Sequence, residues 1–308
     1  MKFRGLEVPV GMDSSENMLQ GVFDLHTHGY PELVPGFGTG LDDIKMATYA
    51  RSRKMAGYVL KSHLWPTMDR AYHVRRQVPG LDVVPSIALN TLVGGIQPGV
   101  LEAAIIQGAG AAWFPTWSSA NDLKRNGFSS LIRKLLPSLQ PLMNEGLTVL
   151  AESGGLTSAA RDVLRVAKEH EIVMGTGHLS AEEVLALAAE ASRIGYERLV
   201  FTHPDSHSVK ADDEAILEAA RLGAYIEWTF VGMLPEHHRI KPQQVIEWIA
   251  KIGPDRCVLT TDTFGPAPLL EPDLFQLYLG TLRNLGLSHE DLQVMAVKNP
   301  NFLAGSKK

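Results

Sequence analysis

The chain lacks most of the features that mark secreted or membrane proteins. It has a single cysteine, Cys257, which excludes an internal disulfide, is expected to be buried and inert, and fits a reducing compartment. No apolar run reaches the roughly 18 residues that a membrane helix requires, and the N-terminal segment has no apolar stretch of signal-peptide length. We therefore expect a soluble cytoplasmic protein with no membrane partner.

Charge runs and repeats are also missing. The formal net charge is only -5, and no Lys/Arg-rich run or low-complexity segment occurs, which argues against nucleic acid as a partner. A chain of 308 residues, 45% of them hydrophobic, can bury a large core. We expect one domain over residues 1–308 that acts on a small molecule, and we leave open whether it forms a homo-oligomer.

Short apolar runs typical of buried β-strands recur along the chain. There are nine candidates: Val22–His28, Gly57–His63, Val83–Asn90, Ala111–Thr116, Thr148–Ser153, Ile172–His178, Leu199–His203, Ala224–Trp228 and Cys257–Asp262. Helix-like stretches separate most of them: Leu41–Met55, Ser180–Ile194, Asp212–Leu222, Pro242–Ile252 and Pro272–Leu285. This alternation predicts a parallel sheet covered by helices. Since eight such units need roughly 250 residues, the fold class we predict is α/β, a (β/α)8 TIM barrel.

Nine strands are one too many for such a barrel. The most expendable run is Thr148–Ser153, because it follows the long irregular stretch Trp117–Gly146 and precedes a turn signal, Ser-Gly-Gly. We interpret it as a small hairpin or edge excursion within an insertion between the fourth and fifth barrel strands. The alternative makes it the fourth strand, in place of Ala111–Thr116.

Metal-ligating residue types stand at the ends of several predicted strands. His26 and His28 alternate with one residue between them, so both imidazoles project from the same face of the first strand. The others are His178, His203 and Asp262. Because the carboxyl ends of barrel strands face the active site, we expect these side chains to form a site for a divalent metal, zinc above all, with iron or manganese as alternatives.

The order of these residues resembles the amidohydrolase superfamily. An H-x-H pair, two later histidines and a late aspartate each follow their own strand, and the terminal KNPNFLAG is similar to that superfamily's closing helix end. The phrases VLKSH, GTGHLS and FTHP resemble a poorly characterised, amidohydrolase-related branch. The resemblance implies that His26, His28 and Asp262 hold one metal. It also implies that His178 and His203 hold a second, or that one of them completes a mononuclear site.

One departure from that superfamily leaves the number of metals open. Its binuclear members usually bridge their metals with a carboxylated lysine or a glutamate from the fourth strand, and Ala111–Thr116 supplies neither. Lys61 on the second strand is one substitute, as a carbamate bridge, or it stays cationic and binds a substrate anion. Glu152 is the other, if Thr148–Ser153 is the true fourth strand. A single metal is the remaining alternative.

The constellation predicts hydrolysis by a metal-activated water on an amide, cyclic amide, lactone or ester. Asp262 is the candidate proton shuttle as well as a ligand. His63, on the same strand face as Lys61, is a secondary candidate as ligand, shuttle or substrate donor, and His207 is a candidate pocket residue. Two other classes stay open at this stage, a mononuclear metal-dependent decarboxylase and a non-catalytic binding barrel, and phosphoester hydrolysis is a further variant.

Substrate choice is expected to lie in the loops that surround these strand ends. The stretch Tyr30–Gly40 carries Gly36, Gly38 and Gly40 but lacks the strand context of a dinucleotide-binding loop, so we interpret it as a lid or rim. Trp117–Phe128 and Thr229–Ile240 are the other expected walls. His237 and His238, in the latter stretch, are expected to be exposed loop residues.

Overall fold

The structure is a computed structural model that describes residues 2–3, 6–7, 17–37, 41–237, 239–264 and 269–305. Lys2–Phe3 and Leu6–Glu7 pair as two short antiparallel strands. Gly38, Gly40 and His238, which the sequence placed in loops around the site, lie outside the described residues. Among the helices of the described part, none is long and apolar enough to cross a membrane.

Eight parallel strands form one sheet in which each strand pairs with the next along the chain. They are β1 (Phe23–His28), β2 (Gly57–Lys61), β3 (Asp82–Ala88), β4 (Ala111–Trp113), β5 (Val173–Gly175), β6 (Leu199–Phe201), β7 (Tyr225–Thr229) and β8 (Cys257–Thr260). The backbone amide of Asp262 donates to the carbonyl of His26 over 2.9 Å and so links the end of β8 to β1. The predicted (β/α)8 TIM barrel is confirmed.

Helices surround this barrel, most of them on its outside. They are α1 (Asp43–Ser52), α2 (Met68–Gln77), α3 (Pro98–Ile106), α4 (Ala120–Arg125), α5 (Phe128–Leu135), α6 (Ser158–Glu169), α7 (Ala181–Ile194), α8 (Asp213–Arg221), α9 (Pro242–Ile252), α10 (Glu271–Asn284), α11 (His289–Gln293) and α12 (Asn299–Leu303). Ser180 and Glu183 form a capping box at the start of α7, which satisfies backbone amides that have no partner within the helix. The α9 bounds are those that the sequence predicted.

The strands are buried on both faces because side chains alternate between two apolar layers. Val59 packs with Phe23 and Leu25 in one cluster, which the alternation places inside the barrel. Tyr58 and Leu60, its neighbours along β2, belong to the larger cluster shared with the helices. Cys257, at the start of β8, is buried as expected. This parity also turns Lys61, two residues after Val59, toward the barrel interior.

The choice of the fourth strand is settled in favour of Ala111–Trp113, which lies between β3 and β5. The rival run, Thr148–Ser153, is not a barrel strand, and Leu150 makes only an isolated antiparallel bridge to Leu156. The chain between β4 and β5 also contains α4, α5, the 3-10 segment Pro137–Met143 and α6.

The C-terminal helix is tied to the base of the barrel. The side-chain amide of Asn299, in the KNPNFLAG segment, donates to the carbonyls of Pro254 and Cys257 over 2.9 and 2.8 Å. These bonds satisfy backbone groups at the entrance to β8. The motif therefore anchors the strand that leads to Asp262.

Candidate metal centre

The ends of β1 and β8 bring three metal-ligating side chains together. Nε2 of His26 lies 2.9 Å from Oδ1 of Asp262, and Nε2 of His28 lies 3.3 Å from the same oxygen. All three side chains are buried, with 0%, 4% and 5% of their residue surfaces exposed. Ligand atoms held about 2 Å from one ion are necessarily about 3 Å apart, so this spacing matches a metal site.

A glutamate fixes the tautomer of His26. Its Nδ1 lies 3.0 Å from Oε1 of Glu227, so an Nδ1–H donates to that carboxylate and the lone pair of the neutral ring remains on Nε2. Nε2 therefore faces the carboxylate of Asp262 with a lone pair, and two acceptors at that distance repel each other. Such an arrangement requires a cation or a proton between them.

The close contact between His26 and Asp262 shifts the pKa values of both groups. Burial opposes protonation of His26, but the carboxylates of Asp262 and Glu227 raise its pKa to about 9. Burial alone would raise the pKa of Asp262, whereas His26, His28 and His203 hold it well below its usual range. Asp262 is thus ionised, and in the absence of a metal the site attracts a proton to His26.

His178 and His203 form a second pair of imidazoles at the site. Nε2 of His203 is 3.9 Å from Oδ2 of Asp262, and the His178 and His203 ring centroids are 5.1 Å apart. Nδ1 of His178 lies 2.7 Å from Oδ2 of Asp122, which orients that ring. Burial keeps the pKa of His203 well below its usual value, so His203 is a neutral imidazole, the form that binds metals.

Backbone strain is concentrated at two of these positions. His203 has φ of 26° and Asp262 has φ of 48°, in the left-handed region that non-glycine residues rarely adopt. Each lies two residues after the end of a barrel strand and directs its side chain toward the shared centre. Strain of this kind typically costs about 1–3 kcal/mol and is tolerated at functional sites.

Lys61 is buried beside His26. Its Nζ lies 2.8 Å from Nε2 of His26 and 5.0 Å from the ring centroid of Trp113, and only 1% of the residue is exposed. It is therefore not a surface lysine. Burial lowers its pKa, while the carboxylates of Asp262, Glu227 and Glu32 oppose that shift. The unprotonated amine is favoured by burial and is the form that can react with carbon dioxide.

Glu32 joins His28 to His63. Its Oε1 accepts from the backbone amide of His63 over 2.7 Å, lies 2.8 Å from Nδ1 of that ring, and is 3.7 Å from Nδ1 of His28. The two imidazoles stack with centroids 4.2 Å apart. Burial, with the neighbouring His28, holds the pKa of His63 well below its usual value. His63 therefore donates through Nδ1 and keeps an acceptor lone pair on Nε2.

The remaining candidates lie elsewhere. Glu152 is exposed on a turn outside the barrel, so its role as a bridge is wrong, because that role required Thr148–Ser153 to be the fourth strand. His207 and His237 are exposed and line the cavity described next, so His207 does face the pocket.

A cavity of about 1020 Å³ opens onto the cluster. His63, His178, His203 and Asp262 form part of its wall, and Phe37, Phe128 and Phe264 form an aromatic side. The Phe128 ring stacks on His63 at 4.0 Å and meets Phe264 edge-on at 5.2 Å. A cavity of this size accommodates a small-molecule substrate next to the metal-ligating groups.

The donor set fits a divalent transition metal. Both ring nitrogens of His28 and Nδ1 of His203 are buried and have no hydrogen-bond partner among the described residues. Buried polar atoms are normally paired, so unpaired imidazole nitrogens around an ionised aspartate are what a metal site presents. Within the described residues, His26, His28 and Asp262 form one group with metal-ligand spacing, and His28, Glu32 and His63 form another.

Sequence reasoning missed the three carboxylates that orient the histidines: Glu32, Asp122 and Glu227. Only Glu227 left a recognisable signal, because it is a lone charge in the apolar run Ala224–Trp228, where an unpaired carboxylate would be costly. Glu32 and Asp122 lie in loop and insertion sequence with no periodicity to mark them.

Comparison with solved structures confirms the resemblance to the amidohydrolase superfamily at the level of the fold. An amidohydrolase from Pseudomonas aeruginosa is 11% identical with a TM-score of 0.64, the match covering 94% of this chain and 98% of that one. The probable dipeptidase PvdM from the same organism is 13% identical, with a TM-score of 0.60 and 94% and 96% covered. An organophosphorus hydrolase from Deinococcus radiodurans is 15% identical, with a TM-score of 0.57 and 94% of each chain covered.

Sequence comparisons give the family. A search of curated proteins finds no significant match. A family model described as a family of unknown function, DUF6282, matches residues 21–227, which include four of the five proposed metal ligands but not Asp262. Because this match spans more than half of the chain, the protein belongs to the DUF6282 family.

Proposed function

We propose that this protein is a metal-dependent hydrolase that uses an activated water on an amide, cyclic amide, lactone or ester of a small molecule. The observation that carries the proposal is the convergence of His26, His28 and Asp262 at the mouth of the barrel, beside a large cavity. The solved structures with the same fold include an amidohydrolase, a probable dipeptidase and an organophosphorus hydrolase, and this supports the assignment.

The residues divide into two sets around Asp262. His26 and His28, with Oδ1 of Asp262, would hold one ion. His203, whose Nε2 lies near Oδ2, and the adjacent His178 would hold a second ion, or one of them would complete a mononuclear site. Imidazole-rich sites of this composition suit zinc first and iron or manganese next, while calcium and magnesium prefer oxygen ligands.

A divalent ion in this site would act as a Lewis acid and lower the pKa of a coordinated water to about 7. The protein supplies the proton transfers. Asp262 is ionised, lines the cavity and turns Oδ2 away from His26, so that oxygen can accept a proton from the nucleophilic water. It then returns the proton to the leaving group, in the manner of a general acid–base catalyst.

Three carboxylates hold the histidine rings of the site in fixed orientations. Glu227 fixes His26 through Nδ1 and accepts from the backbone amide of His203 over 3.0 Å, so one side chain positions both sets of ligands. Asp122 orients His178 through the Nδ1 of that ring. Glu32 holds His63 with its acceptor nitrogen available, and His63 lines the cavity as a residue for binding substrate or accepting a proton.

Elemental analysis combined with a hydrolysis panel tests this proposal. We expect the purified protein to contain one or two transition-metal ions per chain and to hydrolyse at least one member of a panel of amides, lactones, carboxylic esters and phosphotriesters. Removing the metal with a chelator should abolish turnover, and adding Zn²⁺ should restore it. The His28→Asn variant should lose both metal and turnover, whereas His73→Gln, on the exposed face of α2, should lose neither.

The same experiment separates the alternatives. Turnover that survives complete removal of the metal, or a metal-loaded protein inactive on the whole panel, would contradict the proposal. A single ion together with carbon dioxide release from a carboxylic acid would instead indicate a mononuclear decarboxylase. Phosphotriester cleavage without cleavage of carbon-centred substrates would indicate a phosphoesterase.

A further inference from the structure

A second pair of charged groups lines the cavity near the metal centre. Asp205 follows the proposed ligand His203 by two residues, and Arg239 reaches it from the loop after β7. The Arg239 Nε to Asp205 Oδ2 distance is 3.6 Å, and the two side chains are 16% and 9% exposed. A charge-assisted hydrogen bond between such groups is normally about 2.7–2.9 Å, so the two groups form a loose ion pair without a hydrogen bond between them.

The facing atoms of this ion pair make no hydrogen bonds within the described part of the chain. Both carboxylate oxygens of Asp205 and Nε of Arg239 are buried and make no hydrogen bond with any described residue. The one bond that the Arg239 side chain donates within the described residues runs from Nη2 to Oγ1 of Thr229 over 3.3 Å. Because buried charged groups are almost always satisfied, atoms left unpaired on a cavity wall indicate a ligand that completes them.

A glycine beside this pair allows both charged side chains to approach the backbone closely. A Cβ at Gly232 would lie 2.8 Å from Oδ2 of Asp205 and 3.2 Å from Nη2 of Arg239. The carbonyl of Gly232 also accepts from the amide of Arg239 over 2.9 Å. Glycine at this position therefore lets both charged groups pack against the chain.

We propose that Asp205 and Arg239 bind the α-amino-acid half of the substrate. The α-nitrogen, an amide N–H before hydrolysis and an ammonium afterwards, lies against Asp205, and the carboxylate lies against Arg239. A carboxylate alone would satisfy Arg239 but be repelled by Asp205, and an amine alone would meet the reverse conflict. A group with a nitrogen donor and a carboxylate on the same carbon satisfies both.

This inference rests on the proposed hydrolase function and narrows its substrates to N-acyl-α-amino acids and dipeptides. The amide nitrogen would lie at Asp205, near the proposed ligand His203, with the acyl group or side chain against Phe128 and Phe264. Hydrolysis joins the oxygen of water to the acyl carbon and breaks the C–N bond, whose electrons stay on nitrogen. Both protons of water end on the amine, giving a carboxylate and an ammonium ion. The ammonium ion is a cation that can pair with the carboxylate of Asp205.

Calorimetric binding of products to the metal-loaded protein is the direct test. The probes are L-phenylalanine, L-leucine and glycine, with phenethylamine and 3-phenylpropionate as analogues that lack the carboxylate or the amine. We expect at least one amino acid to bind, and each phenylalanine analogue to bind at least roughly tenfold more weakly than its parent, the loss expected for one charge-assisted bond. If no amino acid binds, or if 3-phenylpropionate binds as well as L-phenylalanine, the inference is wrong.

Variants separate this pair from chelation of amino acids by the metal. Arg239→Met and Asp205→Asn should each weaken amino-acid binding at least roughly tenfold without changing the metal content. Arg221→Met, which removes an exposed arginine on α8, should leave binding unchanged. Binding that persists undiminished in both cavity variants would assign it to the metal and overturn the inference.

A matched substrate pair distinguishes the two proposals. N-acetyl-L-phenylalanine should be hydrolysed in preference to N-acetylphenethylamine, which lacks only the carboxylate. Hydrolysis of both at equal rates would leave the hydrolase assignment intact and refute the role of Asp205 and Arg239. Amino-acid binding that depends on Arg239, in a protein inactive on every amide, would support the pair and refute hydrolysis.

Discussion

Nζ of Lys61 lies 2.8 Å from Nε2 of His26, the same nitrogen that faces Asp262. Since Nδ1 of His26 is engaged with Glu227, Nε2 has one lone pair, which a bound proton, an N–H of Lys61 or a metal can take. The amine and the metal therefore compete for His26. Loading the site requires Lys61 to withdraw or to change its chemistry.

Conversion of Lys61 to a carbamate would resolve this competition, because an anionic bridge between two ions replaces an amine beside them. We expect Lys61→Ala to lose the second metal and keep the first. Wild-type protein reconstituted with ¹³C-bicarbonate should show a carbamate carbon in its NMR spectrum, and the variant should not. Short carboxylic acids should restore part of the lost activity.

The number of metal ions per chain tests the Lys61 bridge independently of activity. Two ions in both wild type and Lys61→Ala, or an unmodified amine in fully loaded protein, would contradict the bridge. Lys61 would then be a group that binds substrate. Lys251→Ala is a suitable control, because that lysine is exposed on α9.

Replacing Asp262 by asparagine keeps the size of the side chain and removes the charge that accepts a proton. We expect Asp262→Asn to lower kcat by roughly 10²-fold or more on a substrate that the wild type hydrolyses, a typical share for general acid–base catalysis. Metal content must be measured alongside, because Asp262 contacts both His26 and His28. Unchanged turnover with full metal would restrict Asp262 to a structural role.

Local pattern was sufficient to predict the eight barrel strands, although six of them end two or three residues before the predicted end. His26 and His28 follow from period-two alternation in one strand, and His178, His203 and Asp262 from apolar runs that end in a polar residue. Strand ends are set by their own sequence, and the parallel barrel then brings all of them to one face. The positions of these five residues were therefore predictable without any contact information.

Contacts between distant elements were not predictable in this way. Glu227 meets His26 across 201 residues of sequence, and Asp122 meets His178 across 56. Arg239 and Asp205 lie on separate loops, whose conformations depend on tertiary packing and not on periodicity. Glu152 was a candidate only while the fourth strand was ambiguous, since a short apolar run does not reveal whether it enters the barrel.

Glu227 holds His26 and the His203 backbone together, so we expect Glu227→Gln to weaken metal binding roughly 10–100-fold, the range for groups that orient metal ligands. The glutamine keeps the size of the side chain and one acceptor oxygen but loses the charge. Competition with a chromogenic chelator measures the affinity. Glu169→Gln, exposed at the end of α6, serves as the matched control. Equal affinities in all three proteins would show that Glu227 does not tune the site.

Glu271, the first residue of α10, is a buried carboxyl whose titration should make stability depend on pH. It is 5% exposed, its Oε2 has no partner among the described residues, and burial together with Asp24 and Asp43 raises its pKa from 4.5 to about 8. The folded chain therefore holds a proton that the unfolded chain releases at lower pH. The stability linked to that proton is fully present below pH 4.5 and is lost as the pH rises through about 8.

Glu271→Gln removes this titration while keeping the shape of the side chain and its neutral form. We expect the variant and the wild type to have similar Tm values near pH 4.5, the variant to become progressively more stable than the wild type as the pH rises to about 8, and the difference to level off above that pH. Thermal unfolding followed by circular dichroism across this range measures the difference. Asp24, whose pKa burial raises to about 6, is present in both proteins, so its titration largely cancels in the comparison. A difference in Tm that stays constant with pH would show that Glu271 is not protonated in the folded chain.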